Sequence, residues 1–132
     1  MDPKTLNPLA LAYVGDAVYE QFIRDRIVRS GHFGGHADLL NREGVRYVCA
    51  GAQAAALHNL EADLTEYEAG LVRRARNHKI ATKPKNADPM TYKNATAFEA
   101  LVGYLHLSGD SQRCMEIMER AAEFTEKNNE QG

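Results

Sequence analysis

Two acidic residues lie inside apolar stretches of the sequence, in LAYVGDAVYE and in NATAFEALVGYLHL. Asp16 directly follows Gly15, and Glu99 precedes Gly103 by four residues. An interior glycine costs a helix roughly 0.5–1 kcal/mol relative to alanine, and the close approach of two helices is the usual compensation. If the two helices cross at these glycines, the two acids converge. The spacing therefore predicts a pair of facing carboxylates.

Paired carboxylates of this kind predict a divalent-metal site. Two buried carboxylates repel each other unless they share a proton or a cation, and hard ions such as Mg²⁺ prefer oxygen ligands. Glu20 lies one helical turn after Asp16, on the same face of the helix. Three roles remain open for it: a third metal ligand, a group outside the ligand set, or a solvated side chain. His106 is another candidate to assist the site, with a partly buried structural role as its alternative. The alternative for each acid alone is an ordinary helix residue in solvent.

Residues 73–93 form a basic segment in an otherwise acidic chain. They hold seven Lys and Arg residues and a single acid, Asp88, whereas the rest of the chain carries a net charge of −8. Such a segment indicates a surface for phosphate groups, and the alternative is a solvated helix end whose cations suit the helix dipole. Seven cations favour the phosphate-binding interpretation. The candidate residues are Arg73, Arg74, Arg76, Asn77, Lys79, Lys83 and Lys85.

The elements that position these residues are predicted to be helices, because no proline occurs between residues 9 and 83. Asn7 and Pro8 have the types expected at a helix start, and Gly31 at a helix end. The predicted helices cover about 8–29, 37–59 with a kink near Gly44 or Gly51, 65–79, 93 or 94 to 107, and 111–127, followed by a fraying tail. The fold class is therefore all-α, with five or more helices in one domain spanning residues 1–132.

Composition limits the class of protein. The 132 residues are 44% hydrophobic and 26% charged, which is typical of one globular domain. Two cysteines, Cys49 and Cys114, exclude a disulfide framework and indicate a reducing compartment. No apolar run approaches the ~20 residues that span a bilayer, and the N-terminus does not read as a secretory signal. We expect a soluble cytoplasmic protein with no membrane partner.

Two motifs carry a resemblance to the ribonuclease III superfamily. Residues 11–20, LAYVGDAVYE, resemble the superfamily signature E-F-L-G-D-A-V, and residues 97–105, AFEALVGYL, resemble its second motif, D-V-F-E-A-L-I-G-A-I-Y. Residues 64–72 resemble the helix between these motifs. Within the superfamily, residues 47–54 and 72–79 and the chain length are most similar to the Mini-ribonuclease III subgroup, which has the catalytic domain without a double-stranded-RNA-binding domain.

The chain departs from the full-length enzymes at two positions. Ala12 and Thr96 stand where those enzymes have carboxylates, and Asp16 and Glu99 match the remaining two. The Mini subgroup tolerates this loss. With fewer carboxylates, water or phosphate must complete the metal shell, so we expect the ion to bind weakly without RNA.

The resemblance implies a ribonuclease III-like helical bundle that hydrolyses double-stranded RNA to 5′-phosphate and 3′-hydroxyl ends. Asp16 and Glu99 would hold Mg²⁺, for which Mn²⁺ can substitute. The resemblance also implies a homodimer, in which Tyr13 matches an aromatic residue inserted into the partner subunit; its alternative role is core packing. The subgroup implies maturation of the bacterial 23S ribosomal RNA precursor at its paired stalk, with a ribosomal protein as a further partner that presents the RNA.

Two other classes of function remain alternatives to an endoribonuclease. A helical RNA-binding adaptor that has lost catalysis is motivated by the two missing carboxylates. An α-helical DNA-binding module would treat DNA and RNA duplexes alike.

Overall fold

The computed structural model describes residues 1–79, 85–86 and 88–131, and in these residues the only regular elements are helices. Short 3-10 turns at Pro3–Thr5 and Glu61–Asp63 supplement six α-helices. The predicted all-α class is confirmed. The helices are α1 (Pro8–Ser30), α2 (Ala37–Val48), α3 (Ala50–Leu60), α4 (Glu66–Asn77), α5 (Pro89–Leu107) and α6 (Ser111–Gln131).

α1 and α5 begin with the same local signal, a capping side chain followed by proline. Asn7 Oδ1 accepts a hydrogen bond from the backbone N–H of Leu9 at 2.7 Å, as the sequence predicts. The Asp88 carboxylate caps α5 in the same way, and Pro89 occupies its first turn. The predicted start of α5 at residue 93 or 94 was therefore wrong, because the helix already begins at Pro89.

The segment predicted as one kinked helix over 37–59 is two helices. Cys49 separates α2 from α3 with an extended backbone, at φ −66° and ψ 156°. The break lies two residues before Gly51, one of the two predicted kink positions. α4 ends at Asn77, two residues before the predicted end, and α6 continues to Gln131 rather than stopping near residue 127.

α5 forms the centre of the bundle, with α1, α3, α4 and α6 packed around it. Its residues from Ala95 to Leu105 are almost all buried, and Phe98, Leu101 and Val102 are fully enclosed. Glu99 is the acidic residue within this apolar stretch. Within the described residues, no helix has both the length and the apolar composition that crossing a membrane requires.

Two half-buried ion-pair networks fasten the outer helices to each other. Arg113 of α6 donates to both carboxylate oxygens of Glu68 in α4, at 2.9 and 2.7 Å. Arg26 of α1 forms the same two-pronged contact with Glu126 of α6, which also accepts a hydrogen bond from the Tyr47 hydroxyl at 2.8 Å. Paired hydrogen bonds of this geometry fix orientation as well as distance.

The crossing of α1 and α5 is a contact between backbones. A Cβ atom on Gly15 would lie 1.7 Å from the carbonyl oxygen of Glu99, and one on Gly103 would lie 1.9 Å from the carbonyl oxygen of Leu11. Any side chain at either position would push the two helices apart. The predicted approach of the helices at these glycines is confirmed, and it brings the residue after Gly15 next to Glu99.

Candidate active site

The structure brings Asp16 and Glu99 together at the crossing of α1 and α5. Asp16 lies on the exposed side of α1, whereas Glu99 is half-buried on α5. Their carboxyl groups are close enough to share a hydrogen bond. Because both residues are attached to backbones that touch, the separation of the carboxyls is set by the crossing itself.

This environment changes the protonation of Glu99. Burial, followed by the hydrogen bond and the negative charge of Asp16, raises the pKa of Glu99 to about 8. The charge of Glu20 adds to this effect, and the amide of Gln53 opposes it. In the absence of a cation the Glu99 carboxyl therefore holds a proton at neutral pH, as expected for two carboxyls that share one site.

Gln53 is a site residue that the sequence reasoning missed. It belongs to α3, is 2% exposed, and its amide lies against the Glu99 carboxyl. Its nitrogen, Nε2, has no hydrogen-bond partner among the residues that the structure describes. The available signal was a single amide in the otherwise apolar run AGAQAAAL, since a buried polar residue among alanines calls for a partner.

Glu20 and His106, the two further candidates, lie at different distances from the pair. The charge of Glu20 reaches Glu99, while its carboxylate forms an ion pair with Arg24 Nη2 at 2.9 Å. His106 is exposed in the last turn of α5, seven residues after Glu99, which is about 10 Å along the helix axis. Glu20 thus borders the acidic pair, whereas His106 lies two turns away from it.

The donor set at the crossing fits a hard divalent cation. Asp16 and Glu99 offer carboxylate oxygens, which Mg²⁺ prefers, and a cation would relieve the repulsion that keeps Glu99 protonated. No group of three or more His, Cys, Asp or Glu side chains suited to a metal occurs in the described part of the chain. The pair would therefore leave several positions around an ion for water or phosphate oxygens.

The three arginines of α4 differ in the contacts that their side chains make within the fold. Arg73 is exposed. The Arg74 guanidinium lies 5.5 Å from the centre of the Tyr67 ring. Arg76 is paired within the fold, since its Nε donates to Asn94 Oδ1 at 2.6 Å and its guanidinium forms an ion pair with a carboxylate in the turn after α3, that of Glu61.

The rest of the basic segment lies beyond the body of α4. Asn77 is the last residue of the helix, so Lys79, which the predicted helix over 65–79 included, lies beyond its end. Asn77, Lys79 and Lys85 are exposed. Lys83 lies outside the described residues.

The bond between Arg76 and Asn94 fixes the basic end of α4 relative to the acidic pair. Asn94 precedes Glu99 by five residues on α5, which is about 7.5 Å along the helix axis. This contact anchors the basic end of α4 to α5, the helix that carries Glu99.

Comparison with known proteins places this chain in a family. Residues 9–110 match the ribonuclease III domain. The chain is 50% identical over 126 residues to the Mini-ribonuclease 3 of Symbiobacterium thermophilum, covering 96% of this chain and 95% of that protein. It is 43% identical to the Mini-ribonuclease 3 of Brevibacillus brevis, covering 95% and 92%. The chain belongs to the Mini-ribonuclease 3 family. The family resemblance noted in the sequence is confirmed.

The fold of this Mini-ribonuclease 3 family member also matches a solved structure. A protein from Fusobacterium nucleatum, known from its crystal structure, superposes with a TM-score of 0.80 at 30% sequence identity, covering 92% of this chain and 96% of that one. Together with the domain match, this likeness confirms the ribonuclease III-like helical bundle expected from the sequence.

Tyr13 is 83% exposed on α1, so core packing, the alternative role given to this residue, is excluded within the described chain. It is followed on the same helix by Val28, which is 63% exposed. Val28 lies fifteen positions after Tyr13, which corresponds to about four turns, so both side chains lie on one face of α1.

We expect Glu99→Gln to stabilise the protein in the absence of metal, increasingly so as the pH rises. Because the pKa of Glu99 is raised to about 8, the folded state holds a proton that the unfolded state releases near pH 4.5, and stability falls as the pH rises between these values. Thermal unfolding in EDTA should give the variant a melting temperature about 5 °C higher at pH 8 and little changed at pH 4.5. Glu123→Gln, at an exposed position of α6, is the control, and an equal pH-dependent gain there would contradict the assignment.

Proposed function

We propose that this chain hydrolyses phosphodiester bonds in double-stranded RNA at a divalent-metal centre held by Asp16 and Glu99, leaving 5′-phosphate and 3′-hydroxyl ends. Membership of the Mini-ribonuclease 3 family makes the chain an endoribonuclease. The observation that carries the residue assignment is the contact of the two carboxyl groups at the α1–α5 crossing, where burial keeps Glu99 protonated until a cation takes the place of its proton.

Each carboxylate has a distinct part in this proposal. Asp16 is exposed, so it is accessible to solvent and substrate. Glu99 is half-buried against the core and must lose its proton to become a metal ligand. When bound, Mg²⁺, or Mn²⁺ in its place, supplies a water of lowered pKa and stabilises negative charge on the phosphate and the leaving oxygen. Hydrolysis by a water requires no side-chain nucleophile.

The basic segment is proposed to bind the RNA backbone. Double-stranded RNA is recognised mostly through its shape, its phosphates and its 2′-hydroxyls. Arg73, Asn77, Lys79 and Lys85 are exposed and can reach such groups. Arg76 contributes differently, since its contact with Asn94 anchors the end of α4 to α5, the helix of Glu99. Arg74 is proposed to contact phosphate from its place above the Tyr67 ring.

A homodimer is proposed to form through the exposed apolar face of α1. Large apolar side chains that stand in solvent mark interaction surfaces when they share a face, as Tyr13 and Val28 do. An apolar cavity between α1 and α2 adjoins this face and offers a receiving surface for an aromatic side chain of a second copy. Its lining includes Ile23, Ile27, Val28, Leu40 and Val45.

The biological substrate is proposed to be the paired stalk of the bacterial 23S ribosomal RNA precursor in the cytoplasm. A ribosomal protein that presents this RNA is proposed as a further partner. Both follow from the resemblance of residues 47–54 and 72–79 to the Mini subgroup.

The acidic pair is tested by cleavage of a 23S precursor stalk in Mg²⁺. We expect Asp16→Asn and Glu99→Gln each to lower the cleavage rate by at least about 100-fold, because each removes one of the two charged ligands. Asp25→Asn, an exposed acid on the same helix, should cleave like the wild type. Unchanged cleavage in both site variants would show that the site is wrong. Binding of duplex RNA without cleavage across several divalent ions would favour the RNA-binding adaptor. Equal binding of a DNA duplex and an RNA duplex would favour the DNA-binding module.

The basic segment is tested by the salt dependence of RNA binding. We expect the double variant Arg73→Ala, Lys79→Ala to bind duplex RNA more weakly and to reduce the slope of log K against log salt by about 1–2, because two phosphate contacts are lost. Filter binding or fluorescence anisotropy at several salt concentrations measures both quantities. The control Lys127→Ala, at an exposed position of α6, should leave the slope of log K against log salt unchanged. A double variant with the wild-type slope would contradict this assignment.

The dimer is tested with Tyr13→Asp. Burying the new charge in an apolar interface is unfavourable, so we expect a folded monomer in sedimentation velocity where the wild type sediments as a dimer. Met115→Asp, which alters a half-exposed apolar residue on α6, should remain dimeric. A Tyr13→Asp protein that still sediments as a dimer would remove this face of α1 from the interface.

A further inference from the structure

Gln53 places a buried amide donor next to Glu99, one of the two residues of the acidic pair. The side chain is 2% exposed on α3, and Nε2 has no hydrogen-bond partner within the described residues. Buried donors without a partner are rare, since losing water without a replacement bond is unfavourable. An amide donor without a well-formed hydrogen bond at this position therefore calls for an acceptor nearby.

The acceptor within reach is Glu99. The Gln53 amide lies against the Glu99 carboxyl, which is also in contact with Asp16. An ionised carboxylate is purely an acceptor with several lone-pair positions, so one oxygen can receive an N–H while the other binds a cation. The three side chains come from α1, α3 and α5, which the core holds in fixed relation.

We propose that Gln53 is a positioning residue whose Nε2 donates to one oxygen of Glu99 in the metal-bound protein, so that the other oxygen is directed at the ion. The inference rests on the proposed function in that it assumes the metal centre of Asp16 and Glu99. Groups that orient a metal ligand in this way commonly change metal affinity by 10- to 100-fold when they are removed. Gln53 itself touches neither the ion nor the RNA in this arrangement.

The test replaces the amide with an apolar group of similar volume, in Gln53→Met and Gln53→Leu. Since each variant removes an unpaired buried donor, we expect the metal-free melting temperature to stay equal or to rise. Mn²⁺ affinity, measured by electron paramagnetic resonance of the free ion, should fall about tenfold. The Mg²⁺ concentration for half-maximal RNA cleavage should rise by a similar factor. Gln112→Met, at an exposed glutamine of α6, should change none of these.

The outcomes separate this inference from the proposed function. Gln53 variants that melt at a lower temperature but keep the wild-type Mn²⁺ affinity and Mg²⁺ requirement would assign Gln53 to packing alone and overturn the inference. Wild-type protein that binds no Mn²⁺ would overturn it as well. Wild-type protein that binds Mn²⁺ but cleaves no duplex RNA would overturn the proposed function, and the Mn²⁺ affinity of the Gln53 variants would still decide the role of this residue.

Discussion

The direct contact between the backbones of α1 and α5 is the constraint on which the site depends. Without a Cβ atom at Gly15 and Gly103, carbonyl groups of the opposite helix lie against the glycine Cα atoms. Asp16 and Glu99 extend from these touching backbones by one and two methylene groups. Their separation is therefore determined by the most rigid part of the molecule rather than by long flexible side chains, as a preorganised site requires.

The same crossing makes the site unfavourable when it holds no cation. α5 is apolar over most of its surface because it lies at the centre of the bundle, and Glu99 shares that burial. Burial and the neighbouring Asp16 raise the pKa of Glu99 to about 8. At the proposed metal centre, cation binding would displace a proton, which would couple metal affinity to pH. Phosphate oxygens that enter the same coordination sphere would couple it to RNA as well.

Those parts of the fold that depend on local signals were predictable from the sequence. The bounds of α1 follow from Asn7, Pro8 and Gly31, and the crossing follows from two glycines that helices otherwise disfavour. The start of α5 carried the same signal as α1 in its Asp88–Pro89 pair, and the prediction overlooked it. The break at Cys49 carried no such signal, because neither glycine nor proline occupies that position.

The parts of the site that depend on long-range packing were not predictable in this way. The net charge of residues 73–93 can be read from the sequence, but it does not show which of these cations are paired with other side chains in the fold. Arg76 belongs to the basic segment, yet its partners lie outside α4: Asn94 is on the next helix, and Glu61 precedes α4. The residues proposed to contact phosphate from α4 are therefore Arg73, which is exposed, and Arg74, which lies above its tyrosine ring, together with residues past the helix end. The positive charge of the segment in the sequence therefore exceeds the charge that the fold leaves unpaired, because the Arg76 guanidinium is used to anchor α4 to Asn94 and Glu61.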